Sequence, residues 1–287
     1  MTNPLGIHYG SFVTNWNEDQ HQIIPKVKNL GFDLFEFGAP WLVEQSDSSI
    51  KEFRKIAADN EIQLTLSLGL STAQDISSPD ASIRKVGINF LTRLARAMSK
   101  AGSGMCSGIV HGAWNGKIDS YEEKAVCWDY SVQSMKEVTK VFADEGVIFN
   151  IEVVNRFENF LINDCVEAMK YLDEVDSPQL GIHLDTFHMN IEEDSMTGPI
   201  HAAGKRLKYF HIGENNRKFP GLGNMPWKEI FSALEAADYQ GPIAMEPFVR
   251  PGGEVGAAVS LYREIMDLND YENNIRRSVA FVRALMA

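Results

Sequence analysis

Ile148-Phe149-Asn150-Ile151-Glu152 is a short apolar run that ends on a carboxylate, and the pattern recurs three more times. Gly181-Ile182-His183-Leu184-Asp185, Lys208-Tyr209-Phe210-His211 and Ile243-Ala244-Met245-Glu246 each close on an acid or an imidazole. The intervals between the four end residues are 33, 26 and 35, each about the length of one strand–helix unit. Parallel strands at that repeat bring all four side chains to one rim.

Outward from these runs, further strand-like segments stand at 5–10, 33–38, 63–69 and 108–112, joining those at 148–154, 180–186, 207–213 and 242–248. Helix-like segments separate them. From Ile83 the apolar residues Val86, Phe90, Leu91, Leu94 and Met98 keep the three-to-four spacing of one helical face. Asp80 stands before that helix as an N-cap. Gly31, Gly102 and Gly146 read as helix stops and Pro226-Trp227 as a start. Eight strands alternating with helices predict an α/β fold, a single (β/α)8 TIM barrel occupying residues 1–287 as one catalytic domain. An open doubly wound sheet fits less well, because the first strand–helix junction has no Gly-x-Gly-x-x-Gly.

Composition narrows the function. The net charge of −12 offers no basic stripe for a nucleic acid and no positive face for anionic lipid. Cys106, Cys127 and Cys165 show no paired spacing and read as packed thiols in a reducing compartment. The first residues lack the pattern of a signal peptide, and no apolar run approaches the ~20 residues of a membrane span. The expectation is a soluble, cytoplasmic enzyme.

Charged groups at the mouth of an apolar barrel are costly unless paired or metal-bound. Glu152, Asp185, His211 and Glu246 form an oxygen-rich set suited to a divalent ion rather than to a zinc–thiolate centre. His183, two residues before Asp185, points to the same face one layer deeper, as a core histidine or a partner to a ligand. His8 on the first strand is a weaker candidate for the pocket, and His21, His111 and His201 receive no role. Beyond the strand ends, Glu158, His188 and Arg217 offer donors and acceptors suited to a polyhydroxy substrate, with Trp114 and Phe248 as apolar walls.

The motifs Glu-Val-Val-Asn-Arg-Phe-Glu (152–158), Leu-Asp-Thr-Phe-His-Met-Asn (184–190), His-Ile-Gly-Glu-Asn-Asn-Arg (211–217) and Met-Glu-Pro-Phe (245–248) resemble the ketose 3-epimerases. These are the D-tagatose and D-psicose (D-allulose) 3-epimerases, within the xylose-isomerase-like TIM barrels. The resemblance runs nearly end to end. It implies that Glu152, Asp185, His211 and Glu246 hold Mn2+, with Mg2+ or Co2+ as substitutes, and that Glu152 and Glu246 are the acid/base pair. It implies that Glu158, His188 and Arg217 hold the O1–O2 end of a free ketose, in a homodimer or homotetramer. The expected reaction interconverts C3 epimers such as D-fructose and D-psicose, D-tagatose and D-sorbose, or ribulose and xylulose, without a redox cofactor.

Departures from the family pattern fall at His8, where an aromatic residue is frequent, at Ser67, where some relatives carry Cys, and in the run Gly112-Ala113-Trp114-Asn115-Gly116, which lacks the Pro that often follows the Trp. They bear on the far end of the sugar and leave the metal and proton-transfer groups intact. An aldose–ketose or hydroxypyruvate-type isomerase on the same barrel is the main alternative. An apurinic-site endonuclease fits poorly with seven histidines and a charge of −12. A sensor with a dead site would not need two opposed carboxylates.

Overall fold

The computed structural model describes residues 1–287. Its eight strands are β1 (Leu5–His8), β2 (Leu34–Gly38), β3 (Gln63–Leu70), β4 (Met105–Ala113), β5 (Ile148–Val153), β6 (Leu180–Asp185), β7 (Leu207–Ile212) and β8 (Ile243–Met245). They close in sequence order into one parallel barrel, β8 pairing back onto β1. All eight strands expected from the sequence are present. The outer layer is built mainly from α1 (Ile23–Asn29), α2 (Ala39–Val43), α3 (Asp47–Asp59), α4 (Ala81–Ala101), α5 (Tyr121–Glu145) and α6 (Cys165–Val175). After β6 come α7 (Thr186–Glu192) and α8 (Gly198–Ala203), then α9 (Trp227–Ala236), α10 (Gly253–Ala258) and α11 (Tyr271–Met286).

Local sequence sets several helix ends. The Asp80 carboxylate accepts from the Ser82 backbone N–H at 2.7 Å, capping α4. Gly102 and Gly146 stop α4 and α5 in the left-handed conformation, at φ 72° and 66°. On α4 the apolar face is rotated from the expected one. Phe90, Leu91, Leu94 and Met98 are buried, whereas Val86 is 50% exposed. Gly87 takes the inward place because the Gln74 carbonyl approaches so closely that an added Cβ would sit 2.1 Å from it.

Two strand boundaries also differ. β4 begins at Met105, three residues before its expected start, and β8 ends at Met245, so Glu246 and Phe248 lie just past the strand. Gly108 sits inside β4 at φ +133°, a conformation that reads from sequence as an interruption. The three cysteines are buried and unbonded, and burial raises each thiol's pKa, Cys165 to about 12. They are packed thiols.

Register then positions the rim. Glu152 pairs with His183, Asp185 pairs with His211, and His211 pairs with Ala244. Asp185 lies two residues beyond His183, and Glu246 two beyond Ala244. Steps of two keep a side chain on the same face, so barrel stagger carries the set upward while every member points inward.

At Gly108 a Cβ would lie 2.0 Å from the Leu68 carbonyl oxygen. Gly108→Ala is therefore expected to lower unfolding free energy by about 1–3 kcal/mol, from overpacking alone. Gly104→Ala, with nothing within 4 Å of its Cβ, is the control and should be nearly neutral. Urea denaturation of the two variants side by side checks this.

Candidate metal and sugar site

Three buried carboxylates surround one imidazole at the carboxyl end of the barrel. Nδ1 of His211 lies 3.6 Å from Asp185 Oδ2, 3.7 Å from Glu246 Oε2 and 3.9 Å from Glu152 Oε1. One ligand atom from each of the four residues falls within 4.8 Å of every other. Neither His211 Nδ1 nor Asp185 Oδ2 has a hydrogen-bond partner, although both are buried. Four ligand atoms converging on one point, three of them carboxylate oxygens and two without a hydrogen-bond partner, fit a divalent cation. His183 with Glu152 and His211 forms a second possible grouping. It supplies one carboxylate instead of three, so charge favours the first set. His183 is fully buried, and its ring packs edge-on against His211 at 4.1 Å.

Electrostatics follow from burial and crowding. Glu152 is pushed well above the ordinary carboxylate range, first by desolvation and then by Glu246. Burial acts on Asp185 in the same direction, but His211, His188 and Arg217 outweigh it and hold Asp185 low. His211 moves well above 6.5: desolvation opposes its charge, yet Glu36 and Glu246 dominate.

Glu36 is a residue that the sequence reading missed. It stands at the centre of β2, fully buried, with Oε2 2.7 Å from His211 Nε2. The available signal was a lone carboxylate inside the apolar run Leu34-Phe35-Glu36-Phe37. Missed as well were Tyr9 and Trp16, which line the cavity beside Trp114 and Phe248. The Trp16 ring lies 5.6 Å from Tyr9 and 6.0 Å from Trp114, so the wall is an aromatic cluster.

That cavity, of about 540 Å3, opens directly over the cluster and is lined by Glu152, Glu246, Glu158, His188 and Arg217 among others. Asp185 and His211 lie beneath it. Arg217, in the left-handed region at φ 61°, donates to Glu246 Oε2 at 2.8 Å. Its guanidinium stacks on Phe187 at 3.8 Å and faces Glu158 at 3.6 Å. Glu158 accepts from Trp114 Nε1 and Asn155 Nδ2, each at 3.0 Å. Desolvation raises the Glu158 pKa, but His188, Arg217 and those hydrogen bonds bring it below 4.5, leaving a charged acceptor.

Burial favours the neutral form of both histidines of the cavity, His188 and His8. His188 Nδ1 accepts from the Asn155 backbone N–H at 3.2 Å, its Nε2 lies 3.3 Å from Arg217 Nη2, itself a donor, and desolvation lowers its pKa. His8 Nδ1 accepts from Gly10 N–H at 3.1 Å, and burial lowers this histidine to about 4. His8 Nε2–H therefore faces Glu246 Oε1, 3.9 Å away. β1–β8 pairing at Ile7 and Met245 explains this, because the next residues along are His8 and Glu246. Ser67 also lines the cavity, on β3. All the sequence-derived site residues thus surround one space.

Comparison with known proteins agrees in fold. A family profile described as the xylose isomerase-like TIM barrel matches residues 24–285. A D-psicose 3-epimerase of Ruminiclostridium cellulolyticum is 43% identical over 91% of this chain and 89% of its own length. The D-psicose 3-epimerase of Agrobacterium fabrum is 36% identical, covering 98% of each chain. The crystal structure of the D-psicose 3-epimerase from Clostridium cellulolyticum H10 with D-tagatose superposes with a TM-score of 0.95 at 40% identity, covering 99% of both chains.

Metal binding to this cluster should release protons. Glu152 has its pKa raised above the ordinary 4.5 and His211 above 6.5, so each holds a proton that a cation must displace. Affinity should therefore climb with pH from the ordinary carboxylate value up to the raised ones. Calorimetric Mn2+ titrations in two buffers of different ionisation enthalpy measure the release. Proton-neutral binding at mildly acidic pH contradicts it.

Proposed function

The chain belongs to the ketose 3-epimerases of the xylose isomerase-like TIM-barrel family, and from that premise we propose that it epimerises free ketoses at C3. The observation that carries this reading is the pairing of Glu152 and Glu246. Both line the substrate-sized cavity and both face His211 Nδ1, at 3.9 and 3.7 Å.

Epimerisation at C3 removes a proton from carbon next to a carbonyl and returns one on the opposite face. Two carboxylates flanking a bound sugar do this as base and acid, exchanging roles in the reverse direction. A divalent ion held by Glu152, Asp185, His211 and Glu246 supplies Lewis-acid stabilisation of the charge that develops beside the carbonyl. We assign Mn2+ as that ion, with Mg2+ or Co2+ as substitutes. Arg217 and His188 orient the O1–O2 end and face the developing charge. The charged Glu158 carboxylate accepts from sugar hydroxyls. Trp16, Trp114 and Phe248 exclude water on the apolar side.

His8 and Ser67 govern which ketose fits, since both line the cavity without belonging to the carboxylate set. The D-psicose 3-epimerase solved with D-tagatose supports breadth among ketohexoses. The whole chain acts as one catalytic domain in the cytoplasm. No helix is long and apolar enough to cross a membrane. Self-association into a homodimer or homotetramer is supported by exposed Tyr121, Phe157 and Val166. The Lys117–Phe157 hydrogen bond and the Lys124–Glu167 ion pair draw their segments onto one face. Light scattering of the purified protein reads the assembly.

Chelation should abolish turnover and Mn2+ or Co2+ restore it, followed by chromatography of fructose and psicose. Full activity in protein shown metal-free by elemental analysis sinks the metal reading. Glu152→Gln and Glu246→Gln should each lower kcat by at least ~10²-fold, the lower end for a lost proton-transfer group. Deuterium entry from solvent should occur at C3 and fall in parallel. Entry at C1 instead would indicate aldose–ketose isomerisation.

His8→Phe removes a donor and thickens the aromatic wall. It should change the ratio of kcat/KM between fructose and other ketoses by ~10-fold, as expected for one modest contact. An unchanged substrate ranking removes His8 from the specificity set.

A further inference from the structure

Glu36 has no place in the chemistry derived above, yet its position is unusual. It is fully buried on β2, level with His8 on one side and Thr65 on the other. The neighbouring Thr65 hydroxyl is occupied with Tyr209, at 2.8 Å. The hydrogen-bond partner of Glu36 is His211, through Oε2 at 2.7 Å, and Oε1 has none. An acid whose main role was packing or solvation would be better served by an apolar side chain, because an unpaired carboxylate oxygen in the core is destabilising.

We propose that Glu36 is a positioning residue for the metal site, acting through His211; this rests on the divalent-metal reading above. The carboxylate accepts from Nε2 and so keeps a proton there, which leaves Nδ1 as the position whose proton a cation displaces. Nδ1 is the atom turned toward Asp185, Glu246 and Glu152. The same bond sets the ring plane, and its charge strengthens the imidazole as a donor to a cation. Carboxylate–histidine–metal relays of this kind tune affinity and ligand orientation. The ring cannot swing away easily, because His183 packs edge-on against it at 4.1 Å and Tyr209 at 5.5 Å. A cation bound at Nδ1 would also offset the fourth buried carboxylate of the cluster.

The test is Mn2+ affinity of chelator-stripped protein by calorimetry, together with melting temperature in the metal-free state. Glu36→Gln is nearly isosteric but removes the charge, and its amide can also donate to Nε2 and drive the proton onto Nδ1. Its Mn2+ affinity should fall ~10-fold or more, and that of Glu36→Leu toward ~100-fold. The metal-free melting temperature should not fall in Glu36→Gln. A Co2+-loaded sample should show an altered visible spectrum, reporting changed coordination. If Glu36→Leu does not fold, Glu36→Gln alone decides. Wild-type affinity in the variants, or a lowered metal-free melting temperature with unchanged affinity, overturns the proposal. Wild-type protein that binds no Mn2+ removes the metal reading beneath it, and is a distinct result.

Discussion

The rest of the molecule depends on burying four carboxylates, Glu36, Glu152, Asp185 and Glu246, within one barrel mouth. Stripped of water and left unpaired, each would be destabilising by several kcal/mol. His211 and Arg217 are the cationic groups set among them, one beneath the cavity and one in its lining. Nearly every other feature of the site serves to hold these two. The Glu36 hydrogen bond and the His183 ring fix His211. Phe187 and the ion pair to Glu246 fix Arg217. Excess negative charge then has a chemical use, because it fits a divalent ion and leaves protons to exchange.

Barrel closure gives that arrangement its precision. The acidic residues are not level with one another along their strands. Stagger between neighbouring strands lifts Asp185 above Glu152 and Glu246 above His211, and the two-residue step keeps all of them inward. The same closure sets His8 beside Glu246, which makes the first strand a neighbour of the last. Side chains on strands are held by paired backbone on both sides, which favours geometry rigid enough for proton transfer.

The loops beyond the strands are less regular but firmly tied. Glu214 is almost fully buried and accepts from Gly221 N–H, Met225 N–H and Trp227 Nε1. These bonds fold the segment after β7 into a compact turn and hold Arg217 in its left-handed conformation over the cluster. Asn155 plays a similar part after β5, bonding both Glu158 and His188. The polar groups of the cavity are therefore held by hydrogen bonds within the protein, an arrangement that lowers the entropy lost on binding a ligand.

The sequence by itself determined the barrel and pointed to most of the residues that the fold gathers at the candidate site. Short apolar runs at strand–helix intervals admit few folds, and Glu152, Asp185, His211 and Glu246 each close such a run. Helix stops at Gly102 and Gly146 were equally plain, because left-handed backbone favours glycine. What only the tertiary structure decided depends on contacts remote in sequence. Val86 faces solvent because Gln74 crowds Gly87, and no helical periodicity reports a neighbour's carbonyl. Glu36 meets His211 across 175 positions of chain, joined only when the barrel closes. The tautomer of His8 was likewise invisible, since it is set by a backbone N–H that the fold presents to Nδ1. Spacing along the chain carries the periodicity of strands and helices, but not which side chains meet once eight strands have come together.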